Sequence, residues 1–85
     1  MKEIRIIGLL ISDRIKEAGL TQGVLTGYAH IIKSRLGFHE VSEDVCSRMA
    51  VIILQLSGEP AEFDRFEEKL KEIGGLEVQH MIFKT

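Results

Sequence analysis

The 85-residue chain has one cysteine, one proline and no asparagine, and its formal net charge is only -2. Each scarcity removes a class of function. A lone Cys46 cannot form an intramolecular disulfide, and it suits a reducing cytoplasm, the expected localisation. The slightly acidic balance supplies none of the basic surface that a nucleic-acid-binding module carries, so direct DNA or RNA binding is not expected. No apolar run approaches the length of a membrane span and no signal-peptide pattern follows Met1, so no membrane association is expected. The missing asparagine counts against a small hydrolase of the acylphosphatase kind, which needs polar groups to orient water. No serine has a histidine at motif spacing, and Cys46 sits in an acidic stretch that disfavours the thiolate. Neither an enzymatic activity nor a cofactor is expected.

Two short runs that are apolar on both sides of a strand carry more information. In residues 4–11, Ile4, Ile6 and Leu10 oppose Ile7, Leu9 and Ile11. In residues 50–56, Val51 and Ile53 oppose Ala50, Ile52, Leu54 and Leu56. Strands buried on both faces read this way, whereas half-exposed strands alternate with polar residues. A chain of this length is one small domain with a marginal core and two helices, enough to cover one face of a sheet. The other face needs a second molecule. A homo-oligomer, dimer or tetramer, is therefore expected, with Ile7 or Ile52 on the face it buries.

The remaining elements follow from periodicity. A first strand covers residues 3–11, with Gly8 in its middle where a backbone or ligand can approach closely. Ser12 and Asp13 supply an N-cap for a helix of about 15 residues, with Ala18, Thr21, Val24, Leu25 and Tyr28 as its core stripe. Gly19, Gly23 and Gly27 weaken that helix, each by about 1 kcal/mol relative to alanine. A second strand runs from His30 to Phe38, and a polar hairpin loop from Glu40 to Arg48. A third strand runs from Met49 to Leu56. Pro60 opens a second helix with a Phe63, Phe66, Leu70 and Ile73 stripe, which Gly74 and Gly75 stop. Glu67, Glu68, Lys69, Lys71 and Glu72 read as its solvated face, with Glu67 paired to Lys71. A last strand of mixed polarity covers Leu76 to Phe83.

The order βαββαβ is the ferredoxin-like α+β arrangement, a two-layer sandwich with antiparallel sheet order 4-1-3-2. Polarity agrees with it. The doubly apolar strands are the central ones, and Lys33, Arg35, Glu77 and Lys84 mark the edges. The aromatic and basic residues that an RNA-binding sheet of this topology needs on its first and third strands are missing.

Gly8 to Arg14 (Gly-Leu-Leu-Ile-Ser-Asp-Arg), Val24-Leu25 through Ile31-Ile32, Arg35-Leu36-Gly37, and Lys69-Leu70 to Gly75-Leu76-Glu77-Val78 resemble the iron-only hydrogenase system regulators. These are small ACT-like proteins related in fold to the regulatory domain of the nickel-responsive repressor. The likeness spans nearly the whole chain. It departs at Glu68 and Lys71, where small residues flank the lysine in the family, and in the longer, more acidic loop from Glu40 to Arg48. It implies a regulatory or sensor domain, transcription-related and working as an oligomer, that binds a small effector or a protein partner. Ligand-free assembly and a transition-metal-responsive domain are the alternatives.

Ser12, Asp13 and Arg14, at a strand end and helix start with free backbone N–H groups, are the first part of the candidate effector site. Arg35 and Gly37, on an edge strand, are the second. The guanidinium can hold a carboxylate or phosphate, or an acidic residue of a neighbouring subunit. The expected effector is a small anion or an amino acid. His30, His39, Cys46 and His80, with Glu40, Glu43 and Asp44, are the right residue types for a transition metal, yet they form no tight motif.

Overall fold

Alternation decides which side of each strand meets the helices. In β1 (Glu3–Ile11) the odd-numbered residues are buried and the even-numbered ones are half-buried or exposed. In β3 (Ala50–Leu56) Ile52, Leu54 and Leu56 are buried, and Val51, Ile53 and Gln55 are half-buried. The computed structural model describes residues 3–38 and 49–85. Between and around these strands lie α1 (Arg14–Gly27), a 3-10 turn at Ala29–Ile31, β2 (Ile32–Phe38), α2 (Pro60–Lys71) and β4 (Leu76–Lys84). The four strands form one antiparallel sheet in the order β2-β3-β1-β4, which is the expected 4-1-3-2 read from the other edge. The fold is a ferredoxin-like two-layer sandwich.

The core forms where the second helix's aromatic stripe meets β1 and β3. Phe63, Phe66 and Leu70 are fully buried against Ile7, Leu9, Leu54 and Leu56, and Leu25 adds the contribution of α1. Each such side chain removes enough apolar surface to stabilise the fold by roughly 1.5–3 kcal/mol. The Tyr28 and Phe66 rings lie 5.1 Å apart and tie the chain just past α1 to α2. Pro60 occupies the first turn of α2, where a missing N–H costs nothing. The chain leaves that helix through Gly75, at φ 81°, a backbone conformation that demands glycine; a Cβ there would also crowd the end of the Glu17 side chain.

Several expectations need correction. Ile7 and Ile52 both lie in the core, 0% and 6% exposed, and neither reaches the open face. Parity explains this. Ile7 shares the inward face of β1 with Leu9 and Ile11, and Ile52 shares that of β3 with Leu54 and Leu56, so the alternate residues, Gly8 and Gln55 among them, point away from the helices. Ala18 is exposed, and Glu17 takes the inward position one residue earlier, in line with Thr21, Leu25 and Tyr28. The second strand starts at Ile32 rather than His30, because Ile31 N–H donates to the Tyr28 carbonyl at 3.0 Å and closes a 3-10 turn. The expected loop from Glu40 to Arg48 lies outside the described residues.

Candidate functional site

The face of the sheet away from the helices is the first feature of the site region. On β1 it presents Ile4, Ile6, Gly8 and Leu10, and the β3 residues beside them are Gln55, Ile53 and Val51. Ser34 and Leu36 of β2 and Glu77, Gln79, Met81 and Phe83 of β4 complete the surface. Leu36, Met81 and Phe83 are 62%, 56% and 51% exposed, so a contiguous apolar patch stands in solvent in the single chain.

The second feature is the turn from β1 into α1. Asp13 is the cap: its Oδ1 accepts the Lys16 N–H at 3.3 Å, and its carbonyl accepts the Glu17 N–H at 2.9 Å. Ser12 is exposed and its N–H donates to the Gly75 carbonyl at 3.0 Å, tying this turn to the one after α2. Arg14 opens the helix. Arg35 lies on the helix side of β2, opposite Leu54, and its Nη1 donates to Gln22 Oε1 of α1 at 3.0 Å. Gly37 is opposite Ile52, and a Cβ there would make only ordinary contact, 3.8 Å from Ile52 Cγ1. Arg35 is in register with Ile7 through Leu54, five residues short of Ser12 and two strands away. Strand geometry puts that separation at roughly 20 Å. One protomer does not bring Arg35 together with Ser12 to Arg14.

The third feature was not anticipated from the sequence. Arg5 is 4% exposed, and its guanidinium spans three carboxylates. Its Nε donates to Glu3 at 2.8 Å, and its Nη1 donates to Asp64 at 2.8 Å and Glu67 at 2.6 Å. His80 Nδ1 reaches Glu67 at 2.7 Å, and Lys84 reaches Glu3 at 3.3 Å. Glu67 is thus a buried member of an ion network, not part of a solvated face, and its partner is Arg5 rather than Lys71. Burial pushes the Glu3 carboxyl up, but the hydrogen bonds and charges of Arg5 and Lys84 outweigh it and hold Glu3 below the usual range. The Arg5 hydrogen bond lowers Asp64 in the same way. Burial alone would lower Arg5, whereas its three carboxylate partners raise it. The Arg5 guanidinium also lies 5.4 Å from the Phe63 ring centre. The available signal was Arg5 itself, a charge at an inward position of a central strand.

The two metal candidates within the described residues, His30 and His80, belong to different pairs. His30 pairs with Glu62 and stacks near Tyr28, while His80 belongs to the Arg5 network. Among the described residues no group of three histidine, cysteine or carboxylate side chains is placed to hold a metal. His39, Cys46, Glu40, Glu43 and Asp44 lie outside those residues. No helix is long and apolar enough to cross a membrane among the residues described.

A scan of protein-family models finds no match, and neither does a search of curated proteins. Among solved structures, the chain is similar to the uncharacterized protein TM1266 from Thermotoga maritima. The two share 25% identity over 98% of this chain and 100% of that one, with a TM-score of 0.82. That likeness shows the fold and carries no activity, ligand or family name.

Proposed function

We propose that this chain is a non-enzymatic, oligomeric regulatory module that responds to a small effector or a protein partner. The observation that carries the reading is the uncovered apolar sheet face. A patch bearing Ile4, Leu36, Met81 and Phe83 in solvent is a contact surface by its chemistry. The sequence resemblance to the iron-only hydrogenase system regulators supports a transcription-related regulatory role for the same module. That role would be exercised through a partner.

The effector site in this reading lies between copies. Ser12 to Arg14 of one copy offer backbone N–H groups and a helix dipole that favour an anion. Arg35 of another supplies the balancing positive charge, its exposed bond to Gln22 being weak enough to exchange for a ligand. The ligand class is a small carboxylate, an amino acid or a phosphorylated metabolite. A thermal-shift screen of such compounds, on wild type and on Arg35→Ala, tests this. A compound that raises the melting temperature of wild type and not of the variant, with the oligomer intact in both, is the expected result. Stabilisation that survives Arg35→Ala would place the site elsewhere, and a folded monomer at micromolar concentration would remove the premise.

A further inference from the structure

We propose that the partner on the open sheet face is a second copy of this chain, and that the depression over Gly8 seats one of its protruding apolar side chains. This rests on the oligomeric reading above and specifies it. Gly8 sits in the central strand, between Ile53 of β3 and Gln79 of β4. Glycine at such a position weakens a strand and contributes no packing. Among the described residues nothing calls for it. Its φ is not positive, and an added Cβ would meet only Ile53 Cδ1, at an ordinary 3.8 Å. The space left by the missing side chain is open to a second copy.

The surface around Gly8 has the shape of a receptor. Two shallow depressions meet over it, one of about 340 Å³ walled by Leu10 and Val51 and one of about 170 Å³ walled by Ile6 and Ile53. The same face carries the knobs: Leu36 at 62% exposure and Met81 at 56%. Hole and knob on one surface are what a two-fold interface requires, since each copy must offer what the other accepts. Size agrees as well. Four strands about 4.8 Å apart and about seven residues long cover on the order of 500 Å² per copy. Two copies then bury about 1,000 Å², the area that a genuine interface should reach and a lattice contact mostly does not. Charge favours a protein copy over a lipid surface. The only formal charge among the open-face positions named above is the negative Glu77, which offers nothing to an anionic headgroup.

The test is light scattering and sedimentation of wild type, Gly8→Leu, and the knob variant Leu36→Gln/Met81→Gln through the micromolar range. Circular dichroism and melts on dilute samples check the fold. Wild type should be a dimer or a larger even assembly. Gly8→Leu should fold at least as well as wild type while its dissociation constant rises about a hundredfold, the loss of a central interface contact. The knob variant, altered only at exposed positions, should dissociate similarly and decides the matter should Gly8→Leu not fold. Wild-type association in a folded Gly8→Leu protein, or in the knob variant, would mean that copies join through an edge strand or the helix layer. That overturns this inference and leaves the regulatory reading standing. A wild type that stays monomeric overturns the regulatory reading itself.

Discussion

Replacing Arg5 by methionine should be among the most damaging single changes on the helix-covered face of this sheet, and its size can be worked from the structure. Methionine keeps an unbranched apolar stem against Phe63 but removes every donor. Glu67, 5% exposed, then loses a charge-assisted bond of 2.6 Å and keeps only His80. Breaking a buried ion pair from one side costs about 3–5 kcal/mol, because the remaining charge stays desolvated. His80 at the rim relieves part of this, which places the expected loss near 3 kcal/mol. For a domain of this size that lowers the melting temperature by about 12–24 °C, at 4–8 °C per kcal/mol. Calorimetry at one fixed protein concentration is the assay, since an oligomer's melting point depends on concentration. The cause is separable by a cycle. Glu67→Gln in the Arg5→Met background removes the stranded charge, so the double variant should be more stable than the sum of the singles predicts, by about 1.5 kcal/mol or more. An Arg5→Met protein that melts within about 3 °C of wild type, or strict additivity, would refute the buried-network reading.

Two smaller predictions follow from neighbouring features. Glu3 and Asp64 have folded-state carboxyls below their ordinary values, so the stability they contribute is complete above about pH 5 and is lost as pH falls through the carboxylate range toward their lowered values. Melting temperature followed from pH 6 to pH 3 should fall in wild type and fall less in Arg5→Met; equal slopes would mean that Arg5 does not cause the shifts. Thr21 is 1% exposed and its hydroxyl has no hydrogen-bond partner among the described residues, so Thr21→Val should raise stability by about 1 kcal/mol in a denaturant titration, and a loss instead would reveal a partner for the hydroxyl.

The fold was readable because its two strongest signals are local and independent. The Phe63, Phe66, Leu70 and Ile73 stripe has one helical reading, and the doubly apolar runs around Ile7 and Ile53 have one strand reading, so the topology follows from their order. The choice of face was harder, because both faces of β1 and β3 are apolar. Gly8 and Gln55 mark the outward faces only weakly, and Glu3 and Arg5, charged yet inward on β1, point the other way. Glu67 was misread for a different reason. At i+4 from Phe63 and i+1 from Phe66 it sits at the border of the apolar stripe. Whether a border carboxylate faces water or a buried guanidinium depends on β1, 62 residues away in sequence. Periodicity within one helix contains no such information. The two halves of the effector site raise the same difficulty one level up. Ser12 to Arg14 and Arg35 are each recognisable from local sequence, yet whether they share a ligand is a property of how two copies meet. The positions that decide that meeting, Gly8, Leu36 and Met81, carry no chemistry of their own and draw attention only through what they leave exposed.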